Sequence, residues 1–318
     1  MALAGEVSII IPTYQREQVL VDTLVALLGQ SPPAAEILVL DQTPRHVETV
    51  ERQLNAWDAA GQIRWLRLPE PSITRAMNQG LLAARGEVVL FLDDDIVPAP
   101  GLMAAHASRY VDPKVAGVVG MVLQPGQAPG AAIPAERGQG IWRDLNFPFN
   151  SEQPAEIANA MAGNLSVRRD RAIQAGGFDE NFKGVAYRFE TEFARRLVRT
   201  GGQLVYEPQA RIHHLQAERG GTRAYGNPLC SPSPAHSVGE YYLAFREGKG
   251  WERWTFIFWR MFRSVRTRFH LRHPWCILVK LVGELRGLAW AVRLYSRGPA
   301  LLPKHPIDFP TAAPSTHD

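Results

Sequence analysis

Val88-Val89-Leu90-Phe91-Leu92-Asp93-Asp94-Asp95 decides the fold of this chain. Five apolar residues in succession form a strand with no face left for water, and the strand stops at three carboxylates. Three similar runs precede it. Val7 to Ile11 is apolar and β-branched and ends at Pro12, Ile37 to Leu40 ends at Asp41, and Ile63 to Leu68 is the third. Between them the period changes. Val19, Leu20, Leu24, Leu27 and Leu28 recur at helical spacing, Val47 to Trp57 is helical, and Ser72 stands as an N-cap before Ile73, Met77 and Leu81. Strands alternating with helices specify an α/β fold with a Rossmann-like, mainly parallel sheet flanked by helices. Open sheets of this kind bind ligands beyond the carboxyl ends of their strands. Thr13, Asp41 and the run Asp93 to Asp95 stand there.

Downstream the pattern loosens. Residues 123 to 155 are rich in Pro, Gly and Gln and carry no periodicity, which predicts a long surface loop suited to a lid or an acceptor site. Regular structure resumes at Ile157 to Val167. Phe189 to Leu197 has a helix pattern, and Val205 to Ile212 a strand pattern that ends at His213-His214. Near residue 216 the character changes. Gly220-Gly221 and Asn227-Pro228 mark turns. Beyond them Trp251, Trp254, Phe256, Phe258, Trp259 and Phe262 mix with Arg253, Arg260, Arg263, Arg266 and Arg268. Trp275 to Tyr295 sets Lys280, Arg286 and Arg293 among apolar residues. These stretches predict two helices, Trp251 to Arg272 and Trp275 to Tyr295, separated by His273-Pro274. The expected division is an α/β domain over 1–216, a helical, basic-aromatic extension over 217–298, and a Pro-rich disordered tail over 299–318.

Bulk properties fit that plan. The 318 residues are 46% hydrophobic and 21% charged, which excludes a disordered, collagen-like or disulfide-scaffold class. The net charge is only +4, so where the basic residues sit says more than their sum. Cys230 and Cys276 supply neither a disulfide framework nor metal-ligand spacing, and read as thiols of a reducing, cytosolic compartment. The start of the chain lacks a basic n-region, and its apolar run stops at Pro12, unlike a signal peptide. No stretch approaches the roughly 18 apolar residues of a membrane span. The expected location is cytoplasmic, with the basic aromatic helices lying on the inner face of the cell membrane.

Several clusters carry chemistry. Alternate residues of extended chain share a side, so Asp93 and Asp95 face one site and Asp94 turns away. A solvated acidic turn is the plain alternative, but the strand-end position favours a cation site. Carboxylate oxygens suit Mg²⁺ or Mn²⁺ together with diphosphate oxygens. Glu190-Thr191-Glu192 opens a helix, where acidic groups complement the macrodipole. Glu190, at the helix start, is also placed to project into a cleft as a general base. His213 and His214 point to opposite faces, so one of the two can reach a metal, although packing is the commoner role for such a residue. Asp41 suits a helix N-cap or acceptance of a nucleobase N–H.

Taken in order, these segments resemble glycosyltransferase family 2, which has the GT-A fold. Val7-Ser8-Ile9-Ile10-Ile11-Pro12-Thr13-Tyr14 with Arg16 resembles its opening strand and nucleotide loop, and Leu38-Val39-Leu40-Asp41 the strand whose Asp contacts the base. Arg75-Ala76-Met77-Asn78-Gln79-Gly80 and Ala84-Arg85-Gly86-Glu87 lead into Leu92-Asp93-Asp94-Asp95, which matches the DxD motif. Gly163-Asn164-Leu165-Ser166-Val167-Arg168 and Gly176-Gly177-Phe178-Asp179-Glu180 resemble the segment under the donor sugar. The likeness covers residues 6 to 216. One departure stands out: the family shows Glu-Asp where this chain has Phe189-Glu190. Counting back from the following helix puts Glu190 on the base, with Glu192 as the alternative.

The resemblance implies an inverting transfer of a sugar from a nucleotide diphosphate to a hydroxyl of a saccharide or lipid-linked acceptor, in surface polysaccharide or glycolipid synthesis. Pro12, Thr13, Tyr14, Arg16, Asp41, Arg75, Asn78, Asp93, Asp94 and Asn164 are then the donor contacts. Asp95, with Asp93 and His213 or His214, holds Mn²⁺ or Mg²⁺, and Glu190 is the base. Two rivals fit less well. A nucleotidyltransferase of sugar phosphates lacks its glycine-rich basic loop here, since the chain has Pro12-Thr13-Tyr14-Gln15-Arg16. A nucleic-acid-binding protein explains the C-terminal arginines but not acidic strand ends that repel phosphate, so no nucleic-acid partner is expected.

Overall fold

The computed structural model describes residues 6–302. Its first half follows the alternation read from the sequence. β1 (Val7–Thr13), α1 (Gln18–Leu28), β2 (Glu36–Asp41), α2 (Glu48–Ala59), β3 (Arg64–Arg67), α3 (Ile73–Ala83) and β4 (Val88–Leu92) run in that order. The Ser72 side chain caps α3 by accepting the Arg75 N–H. Next come β5 (Ile96–Pro98), α4 (Leu102–Ser108), β6 (Val115–Leu123), β7 (Ala155–Glu156), β8 (Asn164–Arg168), α5 (Arg169–Gln174), α6 (Phe189–Arg199) and β9 (Gln203–His214). Between β6 and β7 the chain is irregular save for a 3₁₀ turn at Gly140–Trp142.

One nine-stranded sheet runs β3-β2-β1-β4-β8-β6-β9-β5, with β7 also paired to β9. The strands from β3 to β4 are parallel, as the βαβ pattern requires. Beyond β4 the sheet is mixed: β8 is antiparallel to β4 and β6, while β6 and β9 are parallel. The period-2 rule divides the core. Ile9, Ile11, Val39 and Leu90 face one side with Leu20, Leu24, Val50, Leu102 and Met103 of α1, α2 and α4. Ile10, Leu38, Leu40 and Phe91 face the other side with Met77, Leu81 and Phe193 of α3 and α6.

The C-terminal region adds α7 (Val238–Glu247), α8 (Trp251–Val265), α9 (Arg268–Arg272) and α10 (Trp275–Ser296). Val238, Tyr241, Leu243, Phe256, Ala291 and Leu294 belong to the same apolar cluster as the sheet, so this region shares the core of the α/β domain. α7 was not evident from periodicity, because every residue from Val238 to Phe245 is buried and it has no polar stripe. Residues 299–302, assigned to a disordered tail by composition, instead lie against the 176–181 segment: Leu302 N–H donates to Gly176 O at 2.8 Å and Glu180 N–H to Ala300 O at 2.9 Å. The remainder of that tail lies outside the described residues. Cys230 and Cys276 are not free thiols. They form a disulfide with Cα atoms 5.0 Å apart, tying the loop before α7 to the first turn of α10. Forty-six residues of sequence separation concealed a proximity that only the packing of α10 creates.

Candidate active site

β1 and β4 end side by side, and their last residues open a cleft of about 190 Å³. Pro12, Thr13, Tyr14, Arg16, Gln42, Ser72, Asp93, Asp94, Asp95, Gly184, Val185, His214 and Tyr225 line it. The acidic run divides its labour as pleating predicts. Asp94 turns away from its neighbours and accepts from the Thr13 hydroxyl at 2.7 Å and from Arg16 Nε at 3.1 Å. Asp95 Oδ1 lies 3.1 Å from His214 Nε2, and Asp93 Oδ2 lies 3.7 Å from the same nitrogen. Ligand atoms of Asp93, Asp95 and His214 are all within 4.8 Å of one another.

Electrostatics distinguish the three carboxylates. Burial raises Asp93, with Asp95 adding to the effect. Burial pushes Asp94 up to about 7 against the pull of Arg16. Asp95 is also penalised by burial, but His214, Arg16 and the Ala217 N–H outweigh it and hold it low. His214 is raised: burial opposes its charge, and the bond to Asp95 and the field of the acidic run prevail. Two carboxylates and an imidazole make a donor set suited to Mn²⁺ or Mg²⁺ with open positions for a ligand's oxygens. The histidine is His214, whereas His213 is exposed and points away. The cause is register. His214 pairs with Ile96, which is buried, and His213 with Val97, which is 46% exposed.

Four expected donor contacts do not line the cleft. Asp41 is fully buried and spends both oxygens on the protein: Oδ1 accepts the Thr43 N–H at 2.8 Å, while Oδ2 meets His46 Nε2 at 2.7 Å and Trp65 Nε1 at 2.9 Å. Arg75 pairs with Glu70 and Glu180 outside the cleft. Asn78 braces α3 against the 176–181 segment through both the C=O and the N–H of Phe178. Asn164 is buried beneath the cleft, bonded to His106 and to the carbonyls of Met121 and Ala210. Its neighbour Gly163 is what touches the site, since a Cβ there would strike the Asp93 carboxylate. Gln42 and Tyr225 line the cleft but carried no motif in the sequence.

Glu190 opens α6 after a segment with three left-handed residues, Gly184 (φ 67°), Ala186 (φ 57°) and Arg188 (φ 73°). For Ala186 and Arg188 this backbone is strained, a condition that concentrates at functional segments. Gly184 and Val185 face the first cleft, while Tyr187, Arg188 and Glu190 face a second cavity that adjoins it. Glu190 Oε2 is buried without a hydrogen-bond partner. Burial pushes its carboxyl up to about 7, with Asp93 adding to the rise and Arg188 opposing it. Glu192, the alternative, is committed elsewhere. It is fully buried and clamped by Arg196 at 2.6 and 3.0 Å.

Known proteins resemble this chain in sequence and fold. A glucosyl-dolichyl phosphate glucuronosyltransferase of Haloferax volcanii is 24% identical over 218 residues, 66% of this chain and 69% of that protein. The pre-mycofactocin glycosyltransferase of Mycobacterium tuberculosis is 30% identical over 142 residues, which is 44% of this chain but only 29% of the relative's length. Among solved structures, a mannosyltransferase from Pyrobaculum calidifontis in complex with GDP-Man and Mn²⁺ superposes with a TM-score of 0.53 at 18% identity, over 92% of this chain and 79% of that one. GalNAc-T7 with UDP, GalNAc and Mn²⁺ gives 0.54 at 14% identity, over 77% and 51%. These likenesses establish the GT-A architecture. Residues 8–174 match the sequence model of glycosyl transferase family 2, a stretch that runs through β1, β4 and β8 and takes in more than half of the chain. It is a member of glycosyl transferase family 2.

Proposed function

We propose that the chain transfers a sugar from a nucleotide diphosphate to an acceptor hydroxyl by a single, inverting displacement, in glycolipid or surface-polysaccharide synthesis. The observation that carries this reading is the adjacency of two unlike sites. The cleft with Asp93, Asp95 and His214 adjoins a cavity holding Glu190, whose Oε2 is buried without a hydrogen-bond partner. The nucleoside fits between Pro12–Tyr14, Gln42 and Tyr225. Asp93, Asp95 and His214 are the residues that would hold Mn²⁺ or Mg²⁺. A divalent ion there would supply charge neutralisation for the diphosphate leaving group. Arg16 keeps Asp94 and Asp95 in place, at 3.1 and 3.3 Å. Glu190 accepts the acceptor hydroxyl's proton as its oxygen bonds to the anomeric carbon and the nucleotide leaves from the opposite face. A carboxylate raised to about 7 is a stronger base than an ordinary one and is still half ionised near neutrality. Solved relatives in this fold carry GDP-Man or UDP with Mn²⁺, which supports a nucleotide-sugar donor.

The acceptor side favours a lipid-linked substrate at a membrane. Among the described residues no helix is long and apolar enough to cross a bilayer. α8 nevertheless exposes Trp251, Trp254, Phe258 and Phe262, and α10 exposes Trp275, Leu278, Val282 and Leu285, between 46 and 81% in each case. Exposed Arg266, Arg268, Arg272 and Arg286 flank them. Aromatic and aliphatic side chains framed by arginine suit the headgroup boundary of an anionic bilayer. The Haloferax relative, by its name, acts on a glucosyl-dolichyl phosphate. The test is turnover of the purified full chain with a panel of nucleotide sugars and Mn²⁺, with the product anomer read by NMR. Full activity in excess EDTA, or retention of the donor's configuration, sinks the reading. Asp95→Ala is expected to abolish transfer while the fold persists.

A further inference from the structure

The cavity beside Glu190, about 410 Å³, is walled by the start of α6, by α7, α8 and α10, and by the Pro228-Leu229 turn. Its charge is out of balance. Arg188, Arg260, Arg263 and Lys280 line it, and the carboxylates bonded to them are Glu240 and Glu284. Glu240 takes Arg188, Arg260 and Arg263, while Glu284 takes Lys280 at 2.8 Å and Arg260 at 3.3 Å. Four cations thus share two carboxylates, and with Glu190 ionised the cations still outnumber the anions. Arg260 and Lys280 are nearly buried, at 6 and 5% exposure, and surplus charge held that far from water calls for a counter-ion. His236 reports the same field. It is 5% exposed, and Lys280 and Arg260 add to the burial that keeps its ring neutral. Its Nε2 donates to the Tyr225 carbonyl at 3.2 Å, which leaves Nδ1 a buried acceptor with no partner on a residue that lines the cavity.

We propose that this cavity binds a phosphate or diphosphate carried by the acceptor. The proposal rests on the glycosyltransferase reading above and names its acceptor class. Arg188 and Arg263, the less buried pair, form a fork toward the entering anion, Arg260 and Lys280 neutralise it from within, and His236 Nδ1 accepts from a P–OH or from a sugar hydroxyl beside it. Held there, the acceptor stands with its hydroxyl next to Glu190. Such an anion has two sources, a polyprenyl phosphate headgroup or a soluble sugar phosphate, and the binding chemistry is the same.

Inorganic pyrophosphate in EDTA is the direct probe. Without a cation, the acidic run in the first cleft repels phosphate, so binding reports on this cavity alone. The full chain is expected to bind pyrophosphate, and Arg263→Gln or Lys280→Met to weaken that binding at least about tenfold, the loss of one charge-assisted contact. Arg263→Lys, which keeps the charge, is expected to recover part of it. UDP or GDP affinity in Mn²⁺ stays at the wild-type value in all three. Tighter binding to vesicles containing a polyprenyl phosphate than to pyrophosphate assigns the lipid source, and equal binding assigns a soluble one. Absent pyrophosphate binding, or equal binding by wild type and both charge-removing variants, overturns the proposal. Absence of nucleotide binding in Mn²⁺ by the wild type is a separate result, and it overturns the donor reading instead.

Discussion

Glu190, the base in the proposed transfer, sits in an environment that makes a pH prediction. A general base works only when ionised, and its ionised fraction grows above its pKa. With the carboxyl at about 7, kcat/KM is expected to rise with pH through that value and then level. Glu190→Gln should lower kcat at least about a hundredfold, remove that rising limb and leave nucleotide affinity intact. A wild-type profile flat from pH 5 to 9 would sink the assignment. Asp41 predicts a different outcome. Its carboxyl is buried but drawn low by His46 and Thr43, and His46 is raised against burial by Asp41 and Glu17. The aspartate's contribution is present above its unfolded pKa and fades as pH falls through the lower folded value. The histidine's is full below its unfolded pKa and fades as pH climbs through the higher one. Asp41→Ala, which strands His46 and Trp65, should therefore cost on the order of 3 kcal/mol in a urea titration near pH 6, and less at high pH. A strand-end aspartate was legible in the sequence, but the cleft-facing role expected of it is not what the fold gives it. Its partners were not, because His46 comes from the loop before α2 and Trp65 from the neighbouring strand β3, which no local pattern records.

At the scale of elements, the parity of a strand mattered more than its existence. The β9 pattern was plain, yet which of two adjacent histidines faces the acidic run depends on how β9 pairs with β5, and β5 is three residues long. His214→Ala should weaken Mn²⁺ binding, measured by quenching or calorimetry, whereas His213→Ala should leave it alone. The reverse pattern would mean the register is off by one. Helices show the complementary limit. α3 and α6 were readable from amphipathic spacing and a cap, while α7, buried continuously from Val238 to Phe245, offered no polar face to mark its period. α8 and α10 have aromatic outer faces, which gives the membrane reading its test. Phe258→Ser with Trp254→Ser alters exposed positions and should leave the melting temperature within a few degrees. Co-sedimentation with anionic liposomes at low salt should drop several-fold. Equal sedimentation of variant and wild type removes the peripheral role from this face.

The molecule as a whole does not divide where its composition does. Residue 216 marks a change from βα alternation to a basic, aromatic sequence, and that change was easy to see. The core ignores it, since Tyr241, Phe256, Ala291 and Leu294 pack in one cluster with Phe91 and Phe193. A chain ending near Gly250 should consequently lose its cooperative thermal transition, not merely an appendage. Retention of a sharp melt by that truncation would contradict the shared core. The strap at the far end carries this further. Gly298 O accepts from Asn181 Nδ2 at 2.7 Å, the Asp179 carboxylate accepts the Ala300 N–H at 3.0 Å, and Leu302 covers Gly177. Those partners directly precede the strained segment that presents Glu190. A ribosome making about 5–20 residues per second needs roughly 6–25 s to proceed from one side of that strap to the other. For that interval the segment bearing Glu190 lacks its brace, and the base is set in place only once residues 298–302 have been made.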